Sequence, residues 1–139
     1  MSALFLSRLG PTKAEKRDII NQKKKEKGGI LVTVREALDR IDATFVNKID
    51  DALKISWIKD VEGRVLCEIF KRSPNELASV LSEDDVLSVP EAYCAVYTLY
   101  VASMIEFSKG NYDAYAKLGA RFEKDFELYA RWYIRNLKK

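Results

Sequence analysis

The chain has 139 residues, 47% of them hydrophobic, with a net charge of +3 and no histidine. That length suits one domain with an ordinary core, and lack of histidine removes the commonest general base and metal ligand. No run of about 18 apolar residues is present, so the sequence offers no membrane-spanning helix.

Charge divides the chain unevenly. Residues 1–31 carry eight basic and three acidic side chains, a net of +5, whereas 32–139 carry sixteen basic and eighteen acidic, a net of −2. Residues 1–31, with the polar run Asn21-Gln22-Lys23-Lys24-Lys25-Glu26-Lys27 before Gly28-Gly29, are expected to form a flexible basic extension. A second reading is genetic. Lys27-Gly28-Gly29 can be encoded by a bacterial ribosome-binding sequence, with Val32 at a suitable distance for a GTG start. Residues 1–31 then read as a leader ahead of the true start.

From Thr33 the pattern is helical. Thr33 and Glu36 have capping-box spacing, and Val34, Leu38 and Ile41 repeat on one face, predicting a helix over about 34–43. Asn47 or Asp50 can cap a second helix over about 51–72. Its stripe is Ile55, Ile58, Val61, Val65 and Ile69, widened by Leu66, Phe70 and nearby Trp57. Gly63 offers room for a neighbouring helix, Lys71 and Arg72 suit the last turn, and Ser73-Pro74 ends it.

Residues 73–89 read as a connection, with one short helical turn between 75 and 81. Its acidic run Glu83-Asp84-Asp85 reads as a solvated loop, without the ligand pattern of an EF-hand. Pro90 is expected at the first position of a third helix, with Tyr93, Val96, Tyr97, Tyr100, Val101 and Met104 on its apolar face. Gly110 should stop it. Asn111 can cap a fourth helix with the stripe Tyr115, Leu118, Phe122, Phe126, Tyr129 and Tyr133, persisting to about 136. The predicted fold is all-α: a four-helix bundle with a long C-terminal helical hairpin and a flexible N-terminal arm.

Cys67 and Cys94 lie in apolar helical patterns and read as small buried hydrophobes in a reduced compartment. No phosphate-binding loop, nucleophile elbow, zinc-protease motif or C-x-x-C is present. Asp60 with Glu68 or Glu106 is the best available carboxylate pair, and surface charge is the simpler explanation. No catalytic, cofactor-binding or metal-binding residue is assigned. All seven tyrosines fall in the last third. Core packing accounts for many aromatics there, but tyrosine is also enriched where chains meet. Tyr93, Tyr97, Tyr100, Tyr112, Trp132 and Tyr133 are therefore the interface candidates.

The segment Thr33-Val34-Arg35-Glu36-Ala37-Leu38-Asp39-Arg40-Ile41-Asp42 resembles the opening of small proteins from head–tail gene clusters of long-tailed phages and prophages of Gram-positive bacteria. Ile55-Ser56-Trp57-Ile58 with Val61-Glu62-Gly63-Arg64-Val65, and Val89-Pro90-Glu91-Ala92-Tyr93 with Tyr97-Thr98-Leu99-Tyr100, resemble its next two helices. Glu106-Phe107-Ser108-Lys109-Gly110-Asn111-Tyr112-Asp113-Ala114-Tyr115 and Phe126-Glu127-Leu128-Tyr129-Ala130-Arg131-Trp132-Tyr133 resemble its last hairpin. Ala92 and Cys94 depart from the family pattern, which often has proline and acidic residues there.

The resemblance implies a non-enzymatic head–tail connector subunit, a homo-oligomeric ring between portal and tail, and no cofactor. Implied partners are the portal protein and the next neck or tail-completion protein, with no membrane and no specific nucleic acid. The implied location is the virion neck, and the bacterial cytoplasm during assembly. The alternative reading is a small helical nucleic-acid-associated or regulatory protein that uses its basic N-terminal arm.

Overall fold

The computed structural model describes residues 30–77 and 80–137. The expectations for the basic extension, through residue 29, and for part of the turn predicted between 75 and 81 lie outside the described residues. Strand β1, Leu31–Thr33, leads directly into helix α1, Val34–Thr44. Helix α2, Asp51–Arg64, continues into a π-helical turn, Val65–Ile69. A 3-10 turn, Pro74–Glu76, precedes strand β2, Val86–Pro90, and a second one, Glu91–Tyr93, follows it. Helices α3, Ala95–Ser108, and α4, Tyr112–Leu137, complete the chain. The described chain is thus mostly helical, with four helices and a small sheet.

The mostly helical architecture agrees with the all-α expectation, and the small sheet is an element the sequence reading lacked. β1 and β2 pair antiparallel, Leu31 opposite Pro90 and Thr33 opposite Val86. Two steps along β1 match four along β2, so β2 bulges between its pairing points. Leu87 and Val89 are fully buried, as are Val32 in β1 and Val34 at the start of α1. Pro90 closes a strand rather than opening a helix. Its missing N–H costs nothing at a strand end, while Glu91 N–H returns to the Ile30 carbonyl at 2.7 Å. α3 begins only at Ala95, which leaves Tyr93 in the preceding turn.

Thr33 caps α1 as its spacing suggests, Oγ1 accepting from Glu36 N–H at 3.2 Å. The Glu36 carboxylate meets the Thr33 hydroxyl at 3.4 Å instead of a backbone N–H. The acidic loop supplies the rest of the cap. Val34 and Arg35 N–H groups donate to the Asp85 and Glu83 carbonyls, each at 2.9 Å. These are orphan donors that a helix N-terminus must satisfy from outside.

α2 ends earlier and differently than predicted. In the π-helical turn Phe70 N–H reaches Val65 O, five residues back, at 3.0 Å. Lys71 then takes the left-handed conformation, φ 56°, and Arg72 N–H returns to Leu66 O at 3.0 Å. Lys71 and Arg72 therefore lie beyond the helix. Asp50 caps α2 without a side-chain bond. Gly63 faces loop residue Leu77, whose Cδ2 would lie 3.5 Å from an added Cβ, so it serves no helix–helix approach.

α3 is central and packs on α1, α2 and α4. Gly110, φ 81°, turns the chain into α4 as expected. Three ring pairs show that α3 and α4 run antiparallel: Phe107 with Tyr115 at 5.1 Å, Tyr100 with Phe122 at 5.2 Å, and Tyr93 with Tyr129 at 5.3 Å. Each pair moves seven residues back on one side and seven forward on the other. Ile58, Val61, Val65 and Ile69 are buried, as the α2 stripe predicts, and so are Phe122, Phe126 and Tyr129 on α4.

Candidate interaction surface

Charged groups that reach the interior are tied into the scaffold. Glu62 lies one turn beyond Ile58 and one before Val65, which places a carboxylate on the buried face of α2, only 7% exposed. It accepts from Ser88 N–H at 3.2 Å, from Ser88 Oγ at 3.0 Å and from the Tyr97 hydroxyl. The same Tyr97 oxygen accepts from Val89 N–H at 3.0 Å. The bulge in β2 turns these two N–H groups toward α2 and α3. One carboxylate thus joins α2, β2 and α3. Burial, and then the Glu62 charge, push the Tyr97 hydroxyl well above its ordinary pKa, so it remains a donor. Tyr129 is equally buried, and burial again raises its pKa, yet its hydroxyl has no hydrogen-bond partner among the described residues.

Lys54 is 2% exposed and meets Asp42 at 2.7 Å, Asp51 at 3.4 Å and Asn47 Oδ1 at 3.2 Å. Partial burial alone would push the Asp42 pKa up, but the bonds from Lys54 and Asn47 outweigh it and lower the pKa. Arg35 gathers Asp39, Asp51 and Glu83 from α1, α2 and the acidic loop. Arg64 pairs with Glu68 at 2.6 Å and Glu123 at 2.8 Å while lying 4.4 Å from the Phe126 ring centroid. Arg40 reaches Glu91 at 3.0 Å and the Cys94 sulfur at 2.8 Å. Burial pushes the Cys94 thiol up against the lowering effect of Arg40.

The carboxylates singled out from the sequence each have a partner of their own. Glu68 is on Arg64, Glu106 binds Asn111 at 2.8 Å, and Asp60 lies beside Tyr100, whose pKa burial and this acid both raise. Among the described residues no group of His, Cys, Asp and Glu side chains is arranged to hold a metal ion. Nor is any described helix long and apolar enough to cross a membrane.

The interface candidates separate into three groups. Tyr97 has no accessible surface and belongs to the core, which removes it from the surface candidates. Tyr93, Tyr100, Trp132 and Tyr133 are half-buried. Tyr93 lies 5.9 Å from Trp132, and Tyr133 lies 4.6 Å from Phe70 at the end of the π-helical turn. Tyr112 is exposed and packs on Phe107, 5.5 Å away, at the α3–α4 turn. The sequence did not single out Phe107, Leu128, Ile134 or Leu137, all exposed apolar side chains. For Leu128, Ile134 and Leu137 the signal was their place opposite or beside the buried α4 stripe. Glu62 and Lys54 also went unnoticed, although each lies four residues from the buried Ile58.

No protein-family model, curated protein or solved structure matches the chain.

Proposed function

We propose that this chain is a structural head–tail connector subunit of a long-tailed phage or prophage, one copy of a ring between portal and tail. The observation that carries the reading is the order and spacing of the four resembling segments, spread over nearly all of 32–139. On this reading the four helices form one bundle whose C-terminal hairpin is its spine. The interior polar groups serve rigidity, because a satisfied buried network fixes one arrangement of the elements it joins. The half-buried Tyr93, Tyr100, Trp132 and Tyr133 offer amphipathic rings to a neighbouring surface.

Ring subunits can remain monomeric until a template collects them, since many weak contacts become strong when joined. The test is therefore mass in solution with and without a purified portal ring. Binding to the portal supports the connector. The second reading, a nucleic-acid-associated protein, rests on the +5 charge of residues 1–31. A full-length chain that ignores the portal but binds duplex DNA at physiological salt would establish that second reading instead.

A further inference from the structure

We infer that the outer face of α4 docks on the α1 side of a second copy of this chain, in a head-to-tail contact driven by opposite charge. Lys117, Arg121, Lys124, Leu128, Arg131 and Arg135 follow one another by four, three, four, three and four residues, and all are exposed. They form a single stripe on the side of α4 opposite Phe122, Phe126 and Tyr129. Arg131 is paired with Glu127 on its own helix. Lys117, Arg121, Lys124 and Arg135 make no ion pair with any described residue. The basic stripe is therefore not consumed by the fold.

The other flank has the opposite sign. Residues 34–54 and 82–85 together hold eight acidic and four basic side chains, a net of −4. Arg35 shows that they share one place, because its guanidinium touches acids from α1, α2 and the 82–85 loop. Both flanks pack on the central α3, and each also exposes apolar side chains: Leu128 within the α4 stripe, Val46 and Leu53 beside the acids. An apolar patch with a charged rim is the usual make-up of a protein contact. The two patches are different surfaces with complementary charge, so the contact is heterologous and repeats from copy to copy, closing into a ring when the rotation permits.

A copy of this chain fits the stripe better than nucleic acid, because the described part of the molecule also carries the acidic flank, which repels phosphate. The stripe spans about 27 Å of helix at 1.5 Å per residue. At a helix width of about 10 Å it buries roughly 300 Å² per partner, well under the ~800 Å² of a stable pair. The contact is thus weak singly and sensitive to salt. This inference rests on the ring reading for its biological setting, but not for its chemistry.

Full-length protein is tested by sedimentation velocity over rising concentration and salt. One variant carries Lys117→Glu, Arg121→Glu and Lys124→Glu, and another carries Asp39→Lys and Asp84→Lys. Circular dichroism melts serve as the check that both fold. The expected result is association of the unaltered chain at high concentration and low salt, loss of association in each variant alone, and its return when the two variants are mixed. Loss in the acidic-flank variant only would assign that flank to the basic residues before position 30 and overturn the inference. So would duplex DNA binding that the α4 variant abolishes, or absence of association by the unaltered chain at any salt. Self-association that persists unchanged in both variants, with portal binding retained, would remove this contact while leaving the connector reading intact.

Discussion

Tyr97→Phe removes one oxygen that serves two buried neighbours, and its cost follows from the geometry. The hydroxyl donates to the Glu62 carboxylate and accepts from Val89 N–H at 3.0 Å, with both Tyr97 and Val89 fully buried. Without it, Val89 N–H has lost its acceptor where water does not reach, a loss of about 1–3 kcal/mol. Glu62 keeps its two bonds from Ser88 but loses a charge-assisted one, about 1.5–3 kcal/mol. We expect a net loss of roughly 2–5 kcal/mol, because the two effects share one site and do not add fully. Tyr129→Phe is the internal control. It deletes a buried hydroxyl that has no partner among the described residues, so stability should be unchanged or slightly higher. Urea unfolding at neutral pH measures both, with unchanged slope showing that the shift is in stability alone. A loss below about 1 kcal/mol for Tyr97→Phe, or a larger loss for Tyr129→Phe, would refute the assignment of the tie to the Tyr97 oxygen.

Phe122 is 2% exposed and lies between the Tyr100 and Phe126 rings; Phe122→Ala should cost about 3–5 kcal/mol in the same unfolding assay. Gly110→Val should cost about 1–2 kcal/mol through its left-handed φ alone, since an added Cβ there meets no atom within 4 Å. Gly119→Ala, inside α4 and equally open, should stabilise by about 0.5–1 kcal/mol, and opposite signs for the two are the check. The pH dependence follows from Tyr97 and Tyr129, whose folded pKa values are raised by burial. The folded state then holds protons that the unfolded state releases above about pH 10, so stability is intact below that pH and falls as pH rises beyond it. Urea midpoints measured between pH 9 and 11 should decline, and Tyr97→Phe combined with Tyr129→Phe should flatten the decline.

Much of the helical framework was legible because its periodicities are local. The α4 stripe, the Thr33 cap and the Gly110 turn each depend on residues within a few positions of one another. The sheet was not legible for the opposite reason. Leu31-Val32-Thr33 and Val86-Leu87-Ser88-Val89 are too short to announce themselves, and each becomes a strand only by meeting a partner more than fifty residues away. Pro90 then pointed to a helix start, since proline suits both that position and the end of a strand. The π-helical turn left no signal either: Leu66 and Phe70 extend the apolar stripe whether the turn is α or π. Among the site residues, Tyr97 and Tyr112 look alike in sequence, and only the rotation of α3 and the position of the α3–α4 turn separate a core ring from an exposed one. Glu62 could have been found by asking which acid shares a face with Ile58 and Val65.

The pairing of the first strand with one so distant sets an order of events in folding. α3 and α4 meet across a short turn and close a small loop, so their contacts can form within the earliest stages. β1 leaves the ribosome before the other described elements, yet it must wait for β2, across more than fifty residues of intervening chain. The N–H groups of Ser88 and Val89 can satisfy Glu62 and Tyr97 only when β2 arrives in its bulged form. Closure of the sheet and hydrogen bonding of the buried carboxylate by Ser88 therefore belong to a single step. Until that step the chain carries an open strand and Glu62 depends on water for its hydrogen bonds, so the exposed strand edge is covered by the smallest element of the fold.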